Sequence, residues 1–211
     1  MDWKRVSVVA GVAAAGAMFA ATVTVNSPAG TVTNAYAFVA GEDALEVNTG
    51  ATGGTVRLSP YNTHTGGTTL GSGTLVVAQP AHPEAGLGEL GAGPFVQQGG
   101  TLTVDLGKLN GAAALSGEGK AELKIESGIL ELIGDTATPE GNTYTIASGF
   151  GTISGVWTNV NVIGQAEGKN VRYEVEHDDT SVRVCVTCDE EPHTDSNPNP
   201  DPGIGPVPVT P

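Results

Sequence analysis

The chain has 211 residues, among them 31 Gly and 13 Pro, and its 23 acidic and nine basic side chains give a formal net charge of −14. Because binding to nucleic acid or to an anionic membrane surface needs a positive patch, this balance predicts no nucleic-acid partner. Only 15% of the residues are charged while 39% are hydrophobic, and disorder of the whole chain would require the opposite balance. Abundant Gly without a Gly-X-Y period, together with many Thr and Val, predicts strands joined by tight turns.

The first residues are typical of an export signal. A short, slightly basic start, Met1–Arg5, leads into the uncharged apolar stretch Val6–Ala21, and Ala35 and Ala37 form the small-x-small pattern that signal peptidase recognises. The sequence therefore predicts a signal peptide over 1–37, cleaved after Ala37. A retained membrane anchor is the alternative, since the stretch approaches the ~20 residues of a membrane span. No second apolar run of that length follows, so we expect no membrane span in the mature chain.

Short runs of alternating apolar and polar residues, each preceded by glycine, occupy the middle of the chain. Four of them share one form, a turn glycine followed by residues that alternate between two faces, which indicates a strand: Gly54–Leu58, Gly73–Val77, Gly100–Val104 and Gly128–Leu132. Their starts lie 19, 27 and 28 residues apart, too far for hairpins and without helical periodicity between them. This spacing favours a solenoid, in which each coil pairs its strand with the coils on either side.

The remaining elements predict an end to this repeat. Gly111–Gly117 is short and flanked by glycine, which favours a loop or turn over a helix. Later strands are bulkier and alternate more strongly, and over 142–188 they predict an aromatic-richer terminal cap, because an open sheet edge would promote aggregation. After Cys188 the composition changes to seven prolines and five acidic residues, which predicts a disordered acidic tail over 189–211.

The most specific pattern starts at Asn62. The run Asn62-Thr-His-Thr-Gly-Gly-Thr-Thr-Leu70, followed by a small turn and Gly-Thr-Leu, resembles the autotransporter-associated β-strand repeat of passenger domains in Gram-negative surface proteins. One departure is His64, where that family usually has Tyr. The likeness covers a repeat core at 53–104 and continues more weakly through 142–186. The residues that match the motif are Asn62, Thr63, Gly66, Gly67, Thr68, Gly73, Thr74, Leu75, Gly99, Gly100, Thr101 and Leu102.

The resemblance implies an all-β fold, a right-handed parallel β-helix over residues 38–188. Coils of roughly 20 residues would give about seven coils over that range. An antiparallel β-sandwich is the competing architecture, because several strand pairs could form hairpins. Autotransporters normally end in a large outer-membrane β-barrel, and the Pro-rich end of this chain leaves no room for one. We therefore expect a passenger-like protein whose barrel is lost or encoded elsewhere.

The sequence predicts no catalytic, cofactor or metal site. Gly86–Gly91 fits the G-x-G-x-x-G pattern of dinucleotide sites, but it lacks the preceding strand and following helix that such sites need. The acidic residues Glu122, Glu126 and Glu131, which an enzyme would group on one coil face, show no shared face in their spacing. His177–Asp179 predicts a polar hairpin turn, with a calcium or catalytic role as the alternative. We expect no enzyme activity and no cofactor.

Cys185 and Cys188 are the two cysteines of the chain. With His193 they could contribute to a metal site, but tetrahedral zinc would need a fourth ligand. A redox Cys-x-x-Cys normally opens a helix, whereas this pair closes a strand. Export to an oxidising compartment favours a local disulfide between them, with unpaired thiols as the alternative.

Together these patterns predict a non-catalytic protein exported by a Gram-negative-type bacterium to the cell surface, the medium or the periplasm. Its role would be surface display or adhesion to a glycan or protein ligand. Two alternatives stay open: a β-helical carbohydrate-active enzyme, and a structural module tethered through its C-terminal tail.

Overall fold

The computed structural model describes residues 20–35, 39–49, 53–58, 62–77, 90–109, 111–134, 142–164 and 171–188. Short strands make up most of this length: β1 (Thr22–Val25), β2 (Val32–Ala35), β3 (Ala44–Val47), β4 (Thr55–Leu58), β5 (Thr68–Leu70), β6 (Thr74–Val77), β7 (Phe95–Gln97), β8 (Thr101–Asp105), β9 (Leu115–Ser116), β10 (Glu122–Ile125), β11 (Ile129–Ile133), β12 (Thr143–Ser148), β13 (Thr152–Ser154), β14 (Asn159–Ile163), β15 (Val171–His177) and β16 (Val182–Cys188). One 3-10 turn, Leu106–Lys108, follows β8. No helix in these residues is long and apolar enough to cross a membrane.

Two parallel sheets form the body of the molecule. Sheet 1 has the order β1-β3-β5-β7-β10-β13, and sheet 2 has the order β2-β4-β6-β8-β11-β14. Every pairing in both sheets is parallel, and each coil gives one strand to sheet 1 and the next strand to sheet 2. Parallel pairing between successive coils is the arrangement of a β-solenoid. The predicted parallel solenoid is confirmed, and the alternative of an antiparallel β-sandwich is wrong.

The four glycine-led runs stack as the sequence predicts. They form β4, β6, β8 and β11, which are neighbours in sheet 2. Val56 pairs with Leu75, Leu75 with Leu102, and Leu102 with Leu130. All four side chains point inward and are fully buried. Since like residues stack about 4.8 Å apart along the sheet, the interior is a continuous apolar column.

The coils are longer than the sequence predicts. Thr74 pairs with Thr101, and Ile129 pairs with Asn159, so one coil takes 27 to 30 residues in this region. The expectation of about seven coils of roughly 20 residues over 38–188 is therefore wrong, because segments of variable length between the strands enlarge each coil without adding a stacked layer.

A third sheet, with the order β9-β12-β16-β15, lies at the C-terminal end. β9 and β12 pair in parallel, as in the solenoid, whereas β16 pairs antiparallel with both β12 and β15. Tyr144 and Tyr173 of this sheet pack against the core. The predicted aromatic-richer cap is thus present, while its limits at 142–188 stay a prediction. Gly111–Gly117 is not helical, and its Leu115–Ser116 pair forms β9.

The turn between β15 and β16 is organised by Asp178. One oxygen of its carboxylate accepts the backbone N–H groups of Thr180 and Ser181, each at 2.8 Å, and the other accepts the Ser181 hydroxyl at 2.6 Å. The hydrogen bond from the Ser181 hydroxyl, followed by that from the Thr180 backbone, lowers the pKa of Asp178 below its usual range. The segment predicted as a polar hairpin turn is one.

β1 and β2 fall inside the segment 1–37 that the sequence predicts to be a signal peptide. They pair with β3 and β4 and form the first coil of the solenoid. Ala35 ends β2, whereas Ala37 and the tail 189–211 lie outside the described residues. Cleavage after Ala37 stays a prediction, and it would remove this coil.

Candidate functional site

The residues of the repeat motif build the scaffold of the coils. Asn62 is fully buried, and its side-chain oxygen accepts the Val39 N–H at 3.0 Å. Gly73 and Gly100 hold the corners between sheets 1 and 2, with φ of 65° and 70°. The remaining members lie in or beside β5, β6 and β8 and their corners, where the apolar ones face the core: Thr63, Gly66, Gly67, Thr68, Thr74, Leu75, Gly99, Thr101 and Leu102. Their matching pattern therefore describes how coils stack.

His64 is the buried titratable group of this motif. The Thr68 hydroxyl donates to the Leu90 carbonyl (3.0 Å) and therefore accepts from Nε2 of His64 (2.8 Å). This places the ring proton on Nε2 and leaves Nδ1 as an acceptor, which has no hydrogen-bond partner among the described residues. Burial lowers the pKa of His64 to about 4, against the opposing influence of the Asp43 carboxylate. His64 is thus held neutral.

A buried contact between Gln97 and Trp157 ties three coils together. The indole Nε1–H of Trp157 donates to Oε1 of Gln97 at 2.7 Å. Nε2 of Gln97 donates to the carbonyl oxygens of Gly100 (3.2 Å) and Ile129 (3.3 Å), in its own coil and the next. Sequence reasoning missed this pair, because 60 residues separate its members and a buried glutamine interrupts the apolar alternation of β7.

Trp157 lies at the wall of an apolar cleft between the last coil and the β15–β16 hairpin. The cleft has a volume of about 140 Å³ and is lined by Ile125, Ile153, Gly155, Val156, Trp157, Val175, His177 and Val182. Val156 is 45% exposed at its surface. We call this feature the C-terminal cleft. Its walls are aliphatic or aromatic except for His177, so its chemistry suits the burial of an apolar group.

The C-terminal cleft has a fixed shape because its floor is part of the coil stack. Gly155 adopts a φ of 78°, and a Cβ there would collide with the Ile125 carbonyl of the coil below. Gln97 fixes the orientation of Trp157 from inside the core. Rigid walls reduce the entropy lost when a partner is bound.

The three glutamates considered as enzyme candidates do not converge. Glu122 lies on sheet 1 and accepts the Ser154 hydroxyl at 2.8 Å. Glu126 pairs with Lys124 at 2.8 Å, whose pKa is raised by that hydrogen bond. Glu131 lies on sheet 2, where it accepts the Thr103 hydroxyl at 3.0 Å. Within the described ranges, no group of three His, Cys, Asp or Glu side chains could hold a metal ion.

Cys185 is a free thiol near the Thr143 hydroxyl, with 3.8 Å between Sγ and Oγ1. Cys188 ends the same strand, β16. Residues three apart on an extended strand have Cα atoms about 10 Å apart, beyond the span of a disulfide. The predicted disulfide would require the end of β16 to leave the sheet, and it stays a prediction.

Comparison with known proteins supports the resemblance seen in the sequence. The chain matches the Adhesin BmaC autotransporter of Brucella suis biovar 1 (strain 1330), with 36% identity over 135 residues. The chain resembles part of an autotransporter adhesin. The match covers 54% of this chain and 4% of the adhesin, so the relative is a far longer protein. The predicted resemblance to an autotransporter passenger protein is thereby confirmed.

Two further comparisons gave no match. No protein-family profile matches the chain, and no solved structure does.

Proposed function

We propose that this chain is a passenger-like surface protein of a Gram-negative bacterium that functions in adhesion and has no enzyme activity. The observation that carries the proposal is its similarity to an autotransporter adhesin, in a chain whose strands stack as a parallel solenoid. Because the match spans a small part of that adhesin, adhesion by this chain is our inference. Exported passengers of this kind are displayed outside the cell, which fits the localisation expected from the sequence.

A solenoid suits such a role because its shape depends on stacking. Each coil buries its inward residues against its neighbours, so the outer faces are held in place by a continuous core. A rigid scaffold can present a binding surface without a large loss of entropy on contact.

The C-terminal cleft is the place on this scaffold where we propose that a ligand is held. Its exposed Val156 and its apolar walls can bury an aliphatic or aromatic side chain. Sugar hydroxyls placed there would lose hydrogen bonds to water with His177 as the polar group of the lining. The lining therefore favours a protein ligand over a glycan.

Beads coated with the full chain should adhere to mammalian cell layers and to immobilised matrix proteins such as fibronectin, collagen and laminin. Val156→Asp should lower the number of bound beads at least tenfold, because a charge in the cleft must be desolvated when a ligand binds. Ile163→Asp is the matched control, since Ile163 is also 45% exposed on the last coil but does not line the cleft.

The controls separate the two parts of the proposal. Circular dichroism should show that both variants keep the β spectrum of the unmodified chain. Adhesion no stronger than that of albumin-coated beads would contradict the adhesive role. Equal losses from Val156→Asp and Ile163→Asp would leave adhesion standing and show that the ligand binds elsewhere.

A further inference from the structure

The described solenoid includes a coil that the predicted signal cleavage would remove. Val25 of β1 is 2% exposed and belongs to the hydrophobic core, and Val23 packs against that core. β1 pairs with β3 over four residues, from Thr22 with Ala44 to Val25 with Val47. This first coil is therefore packed and paired like the coils that follow it.

The corner of the first coil is joined to the second by buried hydrogen bonds. The Ser27 N–H donates to Oδ1 of Asn48 at 2.7 Å, and the Gly54 N–H donates to the Ser27 carbonyl at 3.0 Å. Nδ2 of Asn48 donates to the Gly54 carbonyl at 3.1 Å. Ser27 and Asn48 are both fully buried. Asn48 also adopts a φ of 49°, a conformation that asparagine tolerates better than most residues.

Removal of residues 1–37 would damage what remains. β3 and β4 would become the first strands of their sheets and would each present an unpaired edge, a known route to aggregation. Val47, now 0% exposed, would lose Val25 as its neighbour. The Asn48 side chain would lose the Ser27 amide. The folded protein thus has a physical reason to retain this coil.

We propose that residues 22–35 stay in the exported protein as its first coil and that signal peptidase cuts after Ala17. Ala15-Gly16-Ala17 has the same small-x-small form as the Ala35–Ala37 site. It lies at the end of the apolar stretch that begins at Val6, as a cleavage site should, whereas Ala37 lies 16 residues beyond Ala21. The inference requires export but does not depend on adhesion or on the C-terminal cleft.

The N-terminus of the exported protein tests the proposal. The full chain, with a C-terminal tag, is expressed in a Gram-negative host, and the exported product is analysed by N-terminal sequencing and intact mass. We expect a chain that starts at Met18. A start at Phe38, or an unprocessed start at Met1, would overturn the proposal. Ala17→Leu should make the precursor accumulate at least fivefold, while Ala37→Leu should leave processing unchanged; the reverse pattern would also overturn it.

A stability measurement on the exported protein adds an independent readout. Val25→Asp should lower its melting temperature by at least 5 °C, because the substitution places a charge in the core of the first coil. Val32→Asp, at a position that is 59% exposed on β2, should leave the melting temperature within 1 °C of the unmodified protein. If residues 1–37 are removed during export, neither substitution is present in the product, and identical melting curves would contradict the proposal.

Discussion

Replacing Gly100 with alanine should destabilise the solenoid by about 3–5 kcal/mol, whereas the same change at Gly111 should cost only about 1–2 kcal/mol. Both glycines have positive φ, 70° and 83°, so both variants carry the cost of a left-handed alanine. They differ in what the new methyl group meets. At Gly100 a Cβ would lie 2.5 Å from the Gly73 carbonyl oxygen and 2.8 Å from the Ser72 carbonyl carbon, and at Gly111 nothing lies within 4 Å.

The collision at Gly100 has no simple relief. Its neighbour is the backbone of the adjacent coil, where the Gly73 carbonyl accepts the Thr101 N–H at 2.7 Å. Moving the two coils apart would weaken this bond and the stacking of Leu75 on Leu102. Because both sheets continue through this point, a local shift would spread to neighbouring coils.

Thermal unfolding followed by far-UV circular dichroism checks this prediction. A domain of this size loses about 2–4 °C of melting temperature for each kcal/mol, so Gly100→Ala should melt at least 5 °C below Gly111→Ala. Equal melting temperatures for the two variants would show that the coils do not approach each other as closely at Gly100 as described.

The second large effect is a loss of stability in acid that depends on His64. Its pKa is about 4 in the folded protein, against 6.5 for an ordinary histidine. As the pH falls from 6.5 to 4, the unfolded chain binds a proton on this ring and the folded chain does not, so unfolding is favoured. Below pH 4 both states are protonated and the effect ends. The full change corresponds to about 3 kcal/mol.

Urea unfolding at several pH values between 7 and 4 measures this effect. His64→Gln removes the titrating ring while keeping an amide that can donate to Thr68, so its unfolding free energy should fall less steeply across this window. His177→Gln, at an exposed histidine, should keep the pH dependence of the unmodified protein. The comparison uses slopes, so a uniform loss of stability in His64→Gln does not affect it. Parallel slopes for His64→Gln and the unmodified protein would contradict the buried, neutral state of His64.

The parts of the fold that the sequence could predict are those set by local patterns. Turn glycines followed by alternating residues identified β4, β6, β8 and β11, and the spacing of these strands is the same as their pairing register. The hairpin around Asp178 was equally readable, since a polar turn separates two alternating strands. In these segments the side-chain alternation and the fold depend on the same contacts.

The rest depends on contacts between distant residues. Gln97 and Trp157 meet across 60 positions, and nothing in the alternation near either residue indicates its partner. The C-terminal cleft exists because the β15–β16 hairpin packs on the last coil, a contact of Val175 and Val182 with Ile153 that no spacing rule predicts. Coil length was underestimated because segments between strands vary freely in length.

The most direct test of the parallel coil stack is a pair of engineered disulfides on the outer face of sheet 1. Val96 pairs with Lys124 in the next coil, whereas Thr69 and Lys124 are separated by the coil that carries Val96. Neighbouring parallel strands lie about 4.8 Å apart, within disulfide reach, and strands two coils apart lie about 10 Å from each other. In a chain carrying Cys185→Ser and Cys188→Ser, mass spectrometry after mild oxidation should find an intramolecular bond in Val96→Cys/Lys124→Cys and none in Thr69→Cys/Lys124→Cys. The absence of a bond in the first variant, or equally fast bond formation in both, would contradict the solenoid.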